Sequence, residues 1–105
     1  MCYNANVKNR VEFAFSALKT LTEVPKSTRR LLLEGIRVHL IENDPLQTTR
    51  NKFPLRRPSR HAERELRLEN WRVSYTVIRH DSVLINLIGE KRNEKLFVHG
   101  EEIEL

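Results

Sequence analysis

The residues of this chain best suited to chemistry are Arg67 and Arg72, in the stretch RELRLENWRVSYTVIRHDSVLINLIGEKR from Arg64 to Arg92. Glu65, Arg67 and Glu69 alternate with Leu66 and Leu68, while Arg72, Ser74 and Thr76 alternate with Trp71, Val73, Tyr75 and Val77. Period-two alternation sends one set of side chains to a core and the other to an open sheet face. The open face then carries Arg67 and Arg72, with Lys91 and Arg92 arriving after the apolar run Leu84–Ile88. Arginine pairs bidentately with phosphate oxygens, so clustered cations on a sheet suit RNA or an acidic protein partner. Glu65 lies on the same face, where neighbouring arginines would keep it ionised as a candidate base. The competing outcome is ordinary: Arg67 and Arg72 pair with Glu65 and Glu69 as surface ion pairs.

Charge supports either outcome. The net charge is +5, with eight Lys or Arg and three Glu between Arg50 and Arg72, and three Glu in the tail LFVHGEEIEL. A positive middle with an acidic tail fits a nucleic-acid binder or the partner of an acidic peptide, although such a charge also serves solubility. With 39% hydrophobic residues in 105, the chain is expected to form one domain over residues 1–105. Its apolar runs are too short to span a bilayer. The start, MCYNANVKNR, lacks a signal-peptide core, which points to the cytoplasm. Cys2 stands alone, excluding a disulfide framework, and reads as an incidental thiol near a terminus.

Four histidines are present. They lack metal-ligand spacing and no carboxylate cluster accompanies them, so neither metal nor cofactor is expected. His39 reads as structural and His80 as a turn residue. His61 and His99 flank the sheet segment and are placed within reach of its open face. Trp71 and Tyr75 share a strand face with Val73 and Val77, which favours core packing over base stacking.

The remaining elements must position these side chains. Val11, Phe13 and Phe15 alternate with Glu12 and Ala14, predicting a first strand there or slightly before. SALKTLTEV has helical apolar spacing, and Pro25 ends that helix or begins the next. Lys26 to Glu42 predicts a longer helix with Leu32, Leu33, Ile36 and Leu40 as its apolar stripe, and Arg29, Arg30, Glu34 and Arg37 toward water. Asn43-Asp44-Pro45 stops it. The segment from Leu46 to Arg60, with two prolines and five cations, predicts a long exposed loop. Strands follow near 62–69, 71–79 and 82–88, with turns at Glu69-Asn70 and Arg79-His80-Asp81. Gly89 is expected to break the third of these, and Lys95 to His99 forms a last short strand. The fold class is therefore α+β, an N-terminal strand and helical hairpin packed on a mainly antiparallel sheet.

That order resembles the RelE/ParE family of type II toxin–antitoxin toxins. The likeness rests on LRLENWRVSYTV, then VLINLIGEKR, preceded by LTEVPKSTRRLLLEGIRVHLIENDP, and extends from about Val11 to Phe97. It implies a toxin neutralised by an antitoxin. RelE-like members cut messenger RNA on the ribosome, whereas ParE-like members act on DNA gyrase without being nucleases. By the resemblance, Arg72 matches the arginine of the aromatic-Arg pair and Arg67 the second basic residue of the preceding strand. Lys91, or Arg92 if the turn shifts by one, matches the basic position after Ile-Gly. Two positions depart: Glu65 stands where a basic residue is usual, and Phe97 where many active members have tyrosine.

Metal-free RNA cleavage needs a base for the 2′-OH, cations for the developing phosphorane charge and a proton for the leaving oxygen. Arg72 and Arg67 supply the second, Lys91 or Arg92 a third cation or the proton, and Glu65 is the candidate base. Phe97 has no hydroxyl to give. The rival expectation is a non-catalytic, ParE-like protein-binding inhibitor or a toxin that has lost its chemistry. A general RNA-binding module fits less well, because the sheet lacks an exposed aromatic pair for stacking bases.

Overall fold

The computed structural model describes residues 9–59, 62–79 and 81–103, with backbone alone at 56–59 and 62. Strand β1 (Arg10–Phe13) leads into helices α1 (Phe15–Glu23) and α2 (Lys26–Ile36), and α2 widens into a π-helical turn, Arg37–Ile41. Then come β2 (Lys52–Ser59), β3 (Ala62–Leu68), β4 (Trp71–Arg79), β5 (Ser82–Arg92), β6 (Lys95–Val98) and β7 (Glu101–Ile103). One sheet runs β2-β3-β4-β5-β6-β7 with antiparallel neighbours, and β1 lies parallel to β5 with Val11 opposite Val83. The α+β class and the mainly antiparallel sheet are as the sequence predicts.

Both helices lie on one face of this sheet. Ala17, Leu21, Leu32, Ile36 and Leu40 meet Leu66, Leu68, Val73, Tyr75, Val83, Ile85 and Ile88 in a single buried cluster, with Trp71 packed against it. Thr20, buried in α1, donates to the Ile88 carbonyl and so pins the helix along β5. Two helical assignments are corrected. Leu33 is 43% exposed rather than part of the buried stripe, since the stripe of a single turn is too narrow for it beside Leu32. Arg29 is half-buried rather than solvated. Its guanidinium donates to the carbonyls of Leu21 at 2.6 Å and Val24 at 3.2 Å, satisfying the free C-terminal end of α1.

The predicted loop from Leu46 to Arg60 is overturned over Lys52–Ser59, where β2 pairs with β3. Prolines mask it in the sequence because they remove ladder donors, but an edge strand tolerates them, and β2 is an edge. The register slips between Pro54 and Ser59. Lys52, read as a solvated cation, is 1% exposed. Its ammonium donates to the carbonyls of His39 and Asp44, each at 2.8 Å. Arg64, 9% exposed, donates to the Tyr75 hydroxyl, which donates in turn to the Pro45 carbonyl at 2.7 Å. Among the described residues of the basic middle, Lys52 and Arg64 therefore point inward and hold the 44–48 segment onto the sheet.

Gly89 does not break β5, which continues to Arg92. A Cβ there would stand 2.9 Å from the Phe97 carbonyl oxygen and 3.0 Å from Val98 Cγ2, so the glycine permits close approach of β6. Gly89→Ala is expected to destabilise the fold by about 2 kcal/mol through overpacking, with faster amide exchange concentrated at Leu96–Val98. An unchanged melting temperature and unchanged exchange would show that β6 accommodates the methyl. Beyond Gly100, β7 adds a strand where the sequence predicts only a tail.

Candidate functional site

The pairing of β2 to β6 settles which polar side chains share the face away from the helices. Phe53, Glu65, Ser74 and Leu87 lie in one cross-strand row, and Arg67, Arg72 and Gly89 in the next. Lys91 follows Gly89 by two residues on β5, hence on the same face. Its backbone donates to the Asn70 carbonyl at 2.7 Å. Arg67, Arg72 and Glu65 are thus brought together as the alternation predicts, and the continuation of β5 adds Lys91 to them. Arg92, one residue further, is corrected to the opposite face. It pairs with Glu90 at 2.8 Å and lies 5.1 Å from the Phe97 ring centroid. Phe97 sits opposite Glu90 and belongs to that helix-side face too, so the position where the resemblance places a tyrosine does not face the cations.

The cationic face is less open than alternation alone suggests. The Arg67 side chain is 50% exposed, but those of Arg72 and Glu65 are only 14% and 12% exposed. Glu65 Oε2 stands 3.4 Å from Arg67 Nε and 3.9 Å from Arg72 Nε, one carboxylate between two guanidinium groups. Arg67 is supported from beneath by Phe53, whose ring centroid is 4.5 Å from its guanidinium carbon, a cation–π contact. Arg72 Nη1 donates to the carbonyls of Glu69 at 2.7 Å and Trp71 at 2.9 Å. It thereby holds the β3–β4 turn, where Glu69 takes a left-handed φ of 57°. Arg72 Nε and Ser74 Oγ are both buried without a hydrogen-bond partner. Burial, then the neighbouring Arg67 charge, pull the Arg72 pKa down, and Glu65 opposes them.

Beside this cluster runs a groove of about 420 Å³ lined by Leu55, Glu65, Lys91, Glu94, Lys95, Leu96, Glu102 and Ile103. It sets Lys91 and Lys95 against the carboxylates of Glu65, Glu94 and Glu102, with Leu55, Leu96 and Ile103 as its apolar part. Its aliphatic side chains can carry an unstacked base, while the guanidinium groups of Arg67 and Arg72 stand beside it rather than in its lining.

The histidines stand elsewhere. His99, expected near the open face, lies on the helix side. Its Nδ1 is 2.9 Å from Glu23 Oε1 and its Nε2 is 3.2 Å from Ser16 Oγ, which ties the β6–β7 turn to α1. His39 is half-buried, and burial with the adjacent Lys52 charge favours its neutral form. His61 and His80 lie outside the described residues. Phe53 is a member of this face that the sequence left unassigned, and Ser74 one that it placed by alternation alone. Phe53 fell in the supposed loop, and Ser74 carries no local signal beyond its place in the alternation. Among the described residues, no helix is long and apolar enough to cross a membrane.

Neither a protein-family model nor a curated protein matches the sequence. Among solved structures, the chain is similar to one in the crystal structure of the toxin–antitoxin complex RelBE2 from Mycobacterium tuberculosis. The match covers 80% of this chain and 99% of that one, with a TM-score of 0.60 and 22% sequence identity. The chain has the RelE-like fold. Within the RelE-like sheet, β3, β4 and β5 carry the described cationic cluster, and the helical hairpin covers the other face.

Proposed function

We infer that this protein is the toxin of a type II toxin–antitoxin pair, acting as a metal-independent endonuclease on ribosome-bound messenger RNA. The observation that carries this reading is the juxtaposition of Arg72, Arg67 and Lys91 on one face of a RelE-like sheet, beside a groove. In this mechanism Arg72 and Arg67 grip the scissile phosphate and stabilise the charge that develops on it. Lys91 adds a third cation and is the group available to protonate the leaving 5′-oxygen. Glu65 is the carboxylate available to take the 2′-OH proton once phosphate has displaced it from the arginines. Arg92 has no part, because it lies on the far face against Glu90 and Phe97. The partner is a cognate antitoxin, in keeping with the complex that contains the similar chain.

A second reading draws on the ion pairs of Glu65 with both arginines. These neutralise part of the cationic face and favour a non-catalytic, ParE-like inhibitor of a protein target. Induced expression in bacteria separates the two, with growth and mRNA 5′ ends read together. Growth arrest with new mRNA ends supports the nuclease. Arrest without them would sink it in favour of a protein target.

A further inference from the structure

We propose that Glu65 is a built-in counter-ion that occupies an anion subsite formed by Arg72 Nε and Ser74 Oγ, and that a phosphodiester of RNA enters by displacing it. The identity of the anion rests on the function proposed above; the subsite itself does not.

Three observations converge on it. Glu65 lies directly across the strand pair from Ser74, and its Oε2 is 3.9 Å from Arg72 Nε and 3.4 Å from Arg67 Nε. That first separation is too long for a hydrogen bond, so the carboxylate neutralises Arg72 without satisfying it. Arg72 Nε and Ser74 Oγ are both buried donors with no partner. Buried donors are rarely left unmade, and each such group calls for an explanation. Two of them on adjacent, same-face positions of one strand flank a single acidic residue, which is the donor set of an oxyanion cradle. Ser74 is wholly buried, and in this proposal an outward swing of the Glu65 side chain opens the cradle.

The physical consequence is competition. A carboxylate and a phosphate oxygen present the same charge-bearing acceptor to a guanidinium group. Arg67, half exposed and supported on Phe53, is the first cation an incoming phosphate meets. As phosphate engages Arg67, Glu65 loses its closer partner, and like-charge repulsion drives it from the cradle. Resting protein is thereby protected against leaving Arg72 buried and uncompensated, which is costly. The same device lowers its affinity for phosphate. The ligand must make contacts in the open state that the carboxylate did not.

The test uses the full chain and two probes, inorganic phosphate and a 2′-O-methyl RNA oligonucleotide that cannot be cleaved at its 2′ position. Glu65→Gln is expected to bind both about tenfold more tightly than the wild type, because the competing charge is gone. Its melting temperature should fall without ligand and recover more with phosphate than the wild type does. Adding Ser74→Ala to Glu65→Gln should remove part of the gain. Unchanged or weaker phosphate binding by Glu65→Gln would overturn the proposal, and so would a gain that survives Ser74→Ala intact. A gain for inorganic phosphate without one for the oligonucleotide would overturn the assignment to RNA. Failure of the nuclease reading is separately visible, as growth arrest without new mRNA ends alongside an intact gain in phosphate binding.

Discussion

Arg72→Ala is expected to lower RNA cleavage by about 10²- to 10³-fold, the usual effect of removing one pre-positioned donor from a developing oxyanion. The residue meets the requirements of that role. Its guanidinium is fixed at one end by the Glu69 and Trp71 carbonyls, it is largely desolvated, and its Nε is unpaired. A donor held still in a water-poor site needs no reorganisation when charge appears beside it. The measurement is mRNA 5′-end mapping with growth, after induction of wild type and variant to equal soluble levels. Arg72 also braces the β3–β4 turn, so alanine should cost about 1 kcal/mol of stability through its lost bonds to the backbone. A melting curve on the purified variant distinguishes that modest loss from unfolding. Cleavage within threefold of wild type would remove Arg72 from the site.

The second large effect is structural. Lys52→Met should destabilise the protein by about 2–4 kcal/mol, since it keeps most of the side-chain volume but leaves the His39 and Asp44 carbonyls unpaired in a buried position. For a chain of this size that corresponds to a melting temperature lower by roughly 10–20 °C. Lys52 is held in an unusual state: burial lowers its pKa, while Asp44 opposes and Arg64 reinforces that shift. The ammonium does the work of a cation at a helix C-terminal end, meeting the His39 carbonyl of the π-helical turn. Denaturant unfolding of the two proteins reads the difference, and a change below about 1 kcal/mol would mean that water replaces the ammonium at both carbonyls. Because Phe53 follows on the same strand and supports Arg67, the variant should also loosen the cationic face.

Much of the fold was legible because it is encoded locally. Alternation at Arg64–Val77 fixed two strands, their turn at Glu69-Asn70 and the set of residues facing the core. Helical spacing with Pro25 and Asn43-Asp44-Pro45 marked the hairpin of helices. The same alternation placed Arg67, Arg72 and Glu65 on one face, and the structure brings them together there. By itself, then, the sequence determined the element types other than β2 and β7, the α+β class and the pairing of a basic strand face with one carboxylate. These follow from periods of 2 and 3.6 that a short window contains.

Tertiary structure decided what depends on register and on partners distant in sequence. Lys91 and Arg92 were indistinguishable as a dipeptide; only the continuation of β5 through Gly89, against β6, put Lys91 with Arg72 and Arg92 with Phe97. A one-residue shift in a strand exchanges faces completely. The prolines of β2 concealed a strand that exists because β3 offers it an edge. Lys52 lay in a predicted exposed loop and Arg64 carried no assignment until distant carbonyls and Tyr75 supplied their partners. Whether a cation faces water or the interior is set by what lies across from it, and that is known only once the chain has closed on itself.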